Sequence, residues 1–458
     1  MKYYFLMLCS VILAACQSSP KKESVYGLKG EIKLITLAPG HFHAALIQKS
    51  SSDRINDSVY VYAPEGKELN AHLALINSYN SRPDNPTRWE EIVYTGQDFL
   101  EKMVTEKKGN VVIIAGNNKL KTDYILASVE AGLNVLSDKP MAINSNSFHK
   151  LSRAYSIAEE KGVLLYDIMT ERYVDYNIVN RALMQDLELF GRLQKGTPDR
   201  PAVELNSIHH FYKEVSGAPL IRPYWYYDVE QQGEGIVDVT THLIDLVHWK
   251  CFPDKPIDWK EIRMMAASHW PTRITKEEFT KSTTLEDFPV ELSVGDDSVL
   301  DVYVNGSIHY VVNDVNVGIT VTWNFQAPEN AGDIHSSVIK GTKATLLVLQ
   351  GEEQNYVQKL YVKKEEGVSE KDFDKNLAKA VARLKPTYTV EVKESYDNMK
   401  ELVIHSETST NHEDHFTFVA NKFFDYLRHR NMPEWENTNT LAKYYITATA
   451  LEIAGKKD

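Results

Sequence analysis

The chain of 458 residues is 43% hydrophobic and 25% charged, an ordinary globular composition that excludes a disordered, collagen-like or multi-span membrane protein. Its 51 Lys and Arg residues against 63 Asp and Glu residues give a formal net charge of −12, which argues against nucleic acid as a partner because such binding needs clustered positive charge. The length predicts two or three domains, and a small molecule or carbohydrate is the expected partner.

The first residues have the pattern of an export signal. Lys2 precedes a nearly all-apolar stretch at residues 3–15, which is too short to span a membrane but suits a signal peptide. The stretch runs into Leu-Ala-Ala-Cys, ending at Cys16, and this resembles the bacterial lipoprotein signal, whose cysteine is lipidated. We expect a signal peptide at residues 1–15, lipidation of Cys16 and a polar tether at residues 16–29. The protein would then be lipid-anchored in the cell envelope, in the periplasm or outer membrane of a Gram-negative bacterium.

From about residue 30 onward, apolar runs alternate with helical patterns. Residues 110–115 (Asn-Val-Val-Ile-Ile-Ala) contain four consecutive apolar residues before Gly116, which is typical of a buried parallel strand. Predicted strands lie at residues 32–38, 58–63, 92–94, 110–115, 134–136 and 163–166. Predicted helices lie at residues 43–49, 68–79, 97–107, 122–131, 145–160 and 174–189. This alternation predicts a parallel sheet with right-handed crossovers.

The pattern changes after about residue 203. Alternating, strand-like segments predict a largely antiparallel sheet with one covered face; they lie at residues 299–312, 318–325, 344–348 and 356–362. Helices return at residues 415–428 and 439–454. The sequence therefore predicts an α/β chain with a Rossmann dinucleotide-binding domain at residues 30–150. A C-terminal α+β domain, with a large, mostly antiparallel open sheet and terminal helices, follows at residues 151–458.

The turn after the first predicted strand is the first candidate site. A dinucleotide-binding fold has Gly-x-Gly-x-x-Gly there, whereas this chain has Ala38-Pro39-Gly40-His41-Phe42-His43 and keeps the middle glycine alone. Gly40 would let backbone N–H groups approach a pyrophosphate, although a plain strand–turn–helix is the alternative. His41 and His43 suggest a metal pair, but no carboxylate or cysteine stands at ligand spacing nearby in the sequence. We therefore expect these six residues to bind a cofactor and predict no metal.

Glu65, just after the second predicted strand, is the second candidate. A carboxylate about twenty residues beyond the glycine turn accepts hydrogen bonds from the adenosine ribose, which favours NAD over NADP. An exposed loop glutamate is the alternative interpretation. The expected cofactor is NAD, with NADP as the second choice.

The third candidate is Asp138-Lys139-Pro140, at the end of the fifth predicted strand. Pro140 biases Lys139 toward an extended backbone, and a side chain at the carboxyl end of a parallel strand faces the crevice where such folds bind ligands. Asp138 and Lys139 are therefore expected to contact the cofactor, and the ammonium of Lys139 could also hold a substrate oxygen beside a nicotinamide. A surface lysine is the simpler alternative.

The fourth candidate is a glycine-led helix that begins near Gly233 and contains Asp238 and His242. Residues four apart lie on one helix face, so the carboxylate of Asp238 could orient the imidazole of His242. Because the pKa of histidine lies near neutral pH, His242 could then take a hydroxyl proton. A buried helix with a core histidine is the alternative.

The order of these motifs resembles the Gfo/Idh/MocA family, the relatives of glucose–fructose oxidoreductase and inositol dehydrogenase. Asp138-Lys139-Pro140 resembles the family's Glu-Lys-Pro, and Asp238 with His242 matches its Asp-x-x-x-His helix. The resemblance implies a catalytic set of Lys139, Asp238 and His242, with His242 as general acid/base. It also implies that Gly116-Asn117-Asn118 lies against the nicotinamide ribose, and that the C-terminal sheet mediates homo-oligomerisation.

An aromatic segment leads into the glycine loop and is the predicted substrate contact. Aromatic faces stack on sugar C–H surfaces, and Arg222 could bridge vicinal hydroxyls beside Trp225 and Tyr227, although core packing would explain at least two of the four aromatics. His209 ends a strand-like run and is expected to line the same pocket.

These features predict an oxidoreductase that uses NAD(P) on a secondary hydroxyl of a sugar or glycoside. Free nicotinamide cofactor is scarce outside the cytoplasm, so the cofactor is expected to stay tightly bound. One alternative is a redox-neutral, NAD-dependent glycosidase that oxidises its substrate transiently. The other is a non-catalytic, glycan-binding lipoprotein.

Overall fold

The computed structural model describes residues 29–215, 218–292, 298–406 and 411–456. The predicted signal peptide, Cys16 and the tether up to residue 28 lie outside these ranges. Among the described helices, none combines the length and apolar character needed to cross a bilayer.

The N-terminal part is a parallel sheet. Its strands are β1 (Leu34–Leu37), β2 (Ser58–Tyr62), β3 (Glu90–Tyr94), β4 (Val111–Ile114), β5 (Asn134–Asp138) and β6 (Leu165–Ile168). They lie in the order β3-β2-β1-β4-β5-β6, so the direction of winding reverses between β1 and β4. The apolar runs of β1 and β4 are buried throughout, as expected for strands covered on both faces. In such sheets ligands bind at this reversal, beyond the carboxyl ends of the strands.

Helices connect these strands and cover the sheet. They are α1 (His43–Leu46), α2 (Lys67–Ser81), α3 (Phe99–Glu106), α4 (Lys121–Glu130), α5 (Ser145–Lys161) and α6 (Asp175–Met184). The helix α5 begins at a capping box in which Asn144 and Ser147 satisfy each other's backbone N–H groups, and such boxes stabilise a helix start. Because β6 completes the sheet, the boundary predicted at residue 150 lies inside the first domain and is corrected.

A large sheet dominates the C-terminal part. Its strands are β9 (Val203–Tyr212), β12 (Arg263–Thr275), β13 (Val299–Val312), β14 (Val315–Gln326), β15 (Ile334–Lys340), β16 (Ala344–Gln350), β17 (Lys359–Lys364), β18 (Thr389–Glu394) and β19 (Met399–His405). Their order is β12-β13-β14-β9-β15-β16-β17-β19-β18, and every pair is antiparallel except β14 with β9. Short two-residue strands form two small separate hairpins, namely β7 (Gly196–Thr197), β8 (Arg200–Pro201), β10 (Glu214–Val215) and β11 (Ala218–Pro219). The predicted α/β class, with a parallel and a mostly antiparallel sheet, is confirmed.

The remaining helices join the two sheets. They are α7 (Val229–Gln232), α8 (Thr240–Cys251), α9 (Lys276–Thr283), α10 (Glu370–Arg383), α11 (His412–His429) and α12 (Glu434–Ala454). Phe416 and Phe423 of α11 share a core with β1, and Tyr444 of α12 shares one with β5. The C-terminal helices therefore return to cover the first sheet.

Some elements differ from the sequence-based predictions. The helix predicted at residues 174–189 ends at Met184, because the segment after it turns toward the large sheet, where Phe190 is buried. The strand β12 is not predicted from the sequence, since it is an edge strand whose residues are mostly exposed or half-buried. Without a buried face, a strand shows little hydrophobic alternation.

Candidate active site

The carboxyl ends of β1, β2 and β4 surround a cavity of about 300 Å³. We call it the β1 cavity. Six predicted cofactor contacts line it: Ala38, Pro39, Gly40, Glu65, Gly116 and Asn117. Apolar side chains, including Leu69, Leu120 and Trp225, form much of the remaining wall. A mostly apolar cavity with a few polar groups is typical of a cofactor pocket.

Two glycines let the turns after β1 and β4 approach each other. A Cβ on Gly116 would lie 2.6 Å from the carbonyl oxygen of Ala38 and 2.8 Å from the nitrogen of Gly40. Ala38 has a φ of +45°, a left-handed conformation that glycine would adopt more readily. The chain thus keeps the tight turn and the bare backbone that a pyrophosphate needs, despite its altered fingerprint, and these residues fit a dinucleotide.

Glu65 is exposed at the rim of the β1 cavity, where its Oε1 accepts a hydrogen bond of 3.2 Å from Thr95. This position, at the end of β2, suits a carboxylate that meets an adenosine ribose. The negative charge of Glu65 would also repel the 2′-phosphate of NADP.

The loop after β4 makes a direct bridge to α7. Asn117 Nδ2 donates to Gln231 Oε1 at 2.7 Å, and Asn118 Nδ2 donates to the carbonyl of Gln232, also at 2.7 Å. Gly116 and Asn117 of this loop line the β1 cavity, whereas Asn118 is buried and does not, so its predicted contact with the cofactor stays a prediction. Its amide holds the two domains together.

Lys139 forms a short ion pair with Asp238. Its Nζ lies 2.6 Å from Asp238 Oδ1, and Asp238 Oδ2 accepts a further hydrogen bond of 3.0 Å from Gln232. Burial opposes the charged form of Lys139, but the carboxylates of Asp238 and Asp138 outweigh it and raise the pKa of Lys139 above its ordinary value. Lys139 is therefore an ammonium at neutral pH. It follows the carboxyl end of β5 and meets the segment that precedes α8.

His242 lies in the first turn of α8, and the predicted contact with Asp238 does not form. Asp238 precedes the helix, and its carboxylate is engaged by Lys139 and Gln232. Within the described residues, the buried Nδ1 of His242 has no hydrogen-bond partner. Burial, and next the positive charge of Lys139, hold the pKa of His242 well below its ordinary value. His242 is therefore neutral at pH 7. Asp238 influences it only indirectly, by holding the Lys139 ammonium whose charge lowers the pKa of His242.

A second cavity, of about 240 Å³, opens beside His242. We call it the His242 cavity. Its lining combines apolar side chains such as Leu243 and Leu246 with polar ones, which include Glu171, Tyr176, His209, Asp333, His335 and Gln358. Burial opposes ionisation of Asp333, but contacts with His209 and His210 outweigh it and keep the pKa of that carboxyl below its usual range. Several donors and acceptors thus converge next to a neutral histidine.

The predicted substrate residues separate in the structure. His209 lines the His242 cavity, and its ring stacks on Trp323 with the centroids 5.0 Å apart. The guanidinium of Arg222 lies over the same Trp323, 5.8 Å from the ring centroid. Trp225 lines the β1 cavity instead. Tyr227 is buried, stacks on Phe211 at 5.0 Å and bonds Ser282, so its predicted contact with substrate is wrong.

His41, His43 and Asp138 form a compact cluster beyond the ends of β1 and β5. His43 Nδ1 lies 2.9 Å from Asp138 Oδ2, and His41 Nδ1 lies 3.9 Å from the same oxygen. These three residues were predicted to contact the cofactor, together with the exposed Phe42. None of the four lines the β1 cavity.

Two functional candidates escape the sequence analysis. Asp333 meets the His242 cavity because the strand β15 that follows it pairs with β9, which carries His209. Lys121 is buried, and its Nζ donates to Asn118 Oδ1 at 2.5 Å and to the carbonyl of Lys139 at 3.3 Å; burial lowers its pKa to about 8. Neither residue stands in a recognisable motif, and the burial of Lys121 and the position of Asp333 both depend on the tertiary fold.

Two family models match the chain. Residues 38–167 match the Gfo/Idh/MocA model described as "Oxidoreductase family, NAD-binding Rossmann fold". Residues 179–455 match a model of the "oxidoreductase C terminal domain". No curated protein matches the chain.

Solved structures similar to the chain include "a putative oxidoreductase" from Parabacteroides merdae ATCC 43184. It is 47% identical, has a TM-score of 0.91, and the match covers 94% of this chain and 99% of that chain. A 3-ketoreductase from Actinomadura kijaniata, solved with NADP and TDP-benzene, is 10% identical with a TM-score of 0.54 and coverage of 93% and 98%. Biliverdin reductase from Synechocystis sp. PCC 6803 is 11% identical with a TM-score of 0.56 and coverage of 93% and 100%. At the two lower identities the similarity shows the fold alone.

Proposed function

This chain belongs to the Gfo/Idh/MocA family of NAD(P)-binding oxidoreductases, and from that premise we propose that it oxidises or reduces a secondary hydroxyl of a sugar or glycoside. The proposal is carried by one observation: His242 lines a cavity together with several polar side chains, and the positive charge of Lys139, which is paired with Asp238, acts on this histidine. The nicotinamide dinucleotide, when bound, supplies the hydride acceptor or donor.

Lys139 and His242 have different roles in the proposed reaction. The ammonium of Lys139 donates a hydrogen bond to the substrate oxygen and stabilises negative charge that develops there. His242, neutral because its pKa is low, accepts the hydroxyl proton during oxidation and returns it during reduction. Asp238 is a positioning residue, since it fixes and keeps charged the ammonium of Lys139.

The walls of the His242 cavity favour a polyhydroxylated substrate. His209, Asp333 and Gln358 present both donors and acceptors, and vicinal hydroxyls can satisfy both kinds of group. A small alcohol would leave several of these buried polar groups unpaired, at a cost in binding.

The cellular setting is part of the proposal. The lipoprotein-like pattern around Cys16 supports an enzyme anchored in the cell envelope. Export supports a cofactor that stays tightly bound, because released NADH could not be exchanged efficiently there. Exposed apolar residues on the edge strand β12, Met265 and Trp270, support homo-oligomer formation through the large sheet.

The full-length protein, purified without added nucleotide, provides the test. Mass spectrometry identifies any nucleotide that co-purifies, and absorbance near the nicotinamide band follows its reduction as monosaccharides and glycosides are added. We expect sugar-dependent reduction in the wild-type protein and its loss in H242Q, with the bound nucleotide retained. Reduction by simple secondary alcohols but by no sugar would contradict the proposed substrate class.

The same experiment separates the alternatives that the sequence leaves open. A redox-neutral glycosidase would release free sugar while the nicotinamide spectrum returned to its starting state. A glycan-binding protein would bind sugar equally well as H242Q and would show no spectral change. A protein that lacks nucleotide and turns over with added NAD alone would contradict tight cofactor retention, but not the substrate class.

A further inference from the structure

The geometry points to a binding site for one divalent transition-metal ion at His41, His43 and Asp138. From the sequence these histidines have no carboxylate nearby, but the structure supplies one from the end of β5. This site goes beyond the proposed function, and its test does not depend on it.

The three side chains already surround one point. One ligand atom from each lies within 4.8 Å of the others, with His43 Nδ1 2.9 Å and His41 Nδ1 3.9 Å from Asp138 Oδ2. Ligand atoms at about 2.0–2.2 Å from a metal lie roughly 3–3.5 Å apart in tetrahedral geometry. Small side-chain rotations, with no backbone movement, would therefore complete the ligand set.

The chemistry of the set suits a borderline metal such as Zn²⁺. Two imidazoles and one carboxylate are common ligands for Zn²⁺ and for Fe²⁺, whereas Mg²⁺ and Ca²⁺ prefer oxygen ligands throughout. Three protein ligands leave a position open. The side chain of His41 is 31% exposed, against 13% for His43 and 6% for Asp138, so an ion can enter from solvent on the side of His41.

The surroundings hold the set in place. The ring of His43 packs against Phe416 of α11 with the centroids 4.4 Å apart, and His412 of the same helix lies at 6.3 Å. Lys139 and Lys121 bring positive charge close to Asp138. Each has partners of its own, because Lys139 pairs with Asp238 and Lys121 bonds Asn118. The carboxylate of Asp138 is itself directed at the histidines, with Oδ2 2.9 Å from His43 Nδ1.

The position of the histidines in the turn supports a specific role. His43 occupies the place of the third glycine in Gly-x-Gly-x-x-Gly, a place that serves close packing of helix on strand. A bulky polar ring is an unfavourable replacement for packing alone. Here it reaches across to β5, and a second imidazole lies two residues before it.

Co²⁺ titration of the untagged, metal-stripped, full-length protein tests the site, because Co²⁺ bound by nitrogen and oxygen ligands absorbs visibly. We expect one equivalent to bind, Zn²⁺ to displace it, and affinity to fall at least about tenfold in H41A and in D138N. H149A, which removes an exposed histidine on α5, is the matched control and should bind as the wild type does.

Because His41 is the most exposed of the three ligands, H41A is the variant least prone to unfold, and circular dichroism checks that it keeps its fold. The inference is overturned if the wild-type protein gives no saturable visible absorption, or if folded H41A and D138N bind Co²⁺ as tightly as H149A does. If the wild-type protein bound the metal ion but did not oxidise any sugar, the result would contradict the proposed function and leave the metal site supported.

Discussion

Lys139 Nζ lies 2.6 Å from Asp238 Oδ1, although the two residues are 99 positions apart in the chain. The pair joins the carboxyl end of β5 to the segment that leads into α8. It therefore ties Lys139, the predicted catalytic lysine, to the helix that carries His242. The positions of both proposed catalytic side chains depend on this ion pair.

Replacing Asp238 with asparagine should shift the alkaline limb of the pH–activity profile to lower pH. Asp238 raises the pKa of Lys139 while burial lowers it, so in D238N burial dominates and Lys139 loses its proton at a lower pH. We expect kcat/KM to fall about 10- to 100-fold at neutral pH, with the alkaline limb shifted to lower pH. D123N, which breaks the surface pair with Lys150, is the control. An unshifted limb in D238N would contradict the role of the pair.

Replacing His242 with glutamine should remove proton transfer while the cofactor still binds. We expect kcat to fall about 10²- to 10⁴-fold, with nucleotide affinity unchanged in a fluorescence titration. Because burial, and next the charge of Lys139, hold the pKa of His242 well below its ordinary value, the acid limb of wild-type sugar oxidation should lie at lower pH than the titration of an ordinary histidine, at about pH 6.5. H149Q should behave as the wild type. A wild-type acid limb near pH 7, or an H242Q enzyme with normal kcat, would exclude His242 as the base.

A methyl group on Gly116 should push the turns after β1 and β4 apart. Its Cβ would lie 2.6 Å from the oxygen of Ala38 and 2.8 Å from the nitrogen of Gly40, and both contacts are with backbone that cannot move aside easily. We expect G116A to bind NAD at least about tenfold more weakly by fluorescence titration. G351A adds a methyl group with its nearest contact at 3.5 Å and should bind normally. Equal affinities would show that the close approach does not serve the cofactor.

Removing Arg172 should destabilise the whole protein. Its guanidinium donates two hydrogen bonds of 2.6 Å to Asp245 and one of 2.8 Å to Glu436, and all three residues are buried. R172A leaves both carboxylates without this partner, which should lower the free energy of unfolding by about 3–5 kcal/mol. R153A breaks an exposed pair with Glu130 and should cost less than about 1 kcal/mol. Denaturant titration compares the two, and similar losses would refute the prediction.

The sequence predicts the first sheet well because its central strands β1, β4 and β5 are buried on both faces. The run before Gly116 and the order of the four motifs are enough to predict the parallel sheet, the glycine turn and the placement of Lys139 at a strand end. The large sheet is predicted less completely. Its edge strand β12 lacks a buried face, and its pairing of β9 with β14 and β15 leaves no local pattern.

The partners of the site residues are a matter of tertiary structure. The spacing of Asp238 and His242 suggests a direct contact, but Lys139 captures the carboxylate because it arrives from another domain with the opposite charge. Tyr227 is an aromatic residue of the kind that often contacts sugars. In the structure it stacks on Phe211 and belongs to the buried core.

The sequence alone determined the fold class, the family and the identity of the proposed proton-handling residues, because these follow from local periodicity and from motifs read within a short stretch of chain. The tertiary structure alone decided that the carboxylate of Asp138 lies close to both His41 and His43, that Asp333 meets the His242 cavity, and that Asp238 holds Lys139. Such pairings depend on how two sheets and the returning C-terminal helices pack, since charge and burial act through space and not along the chain.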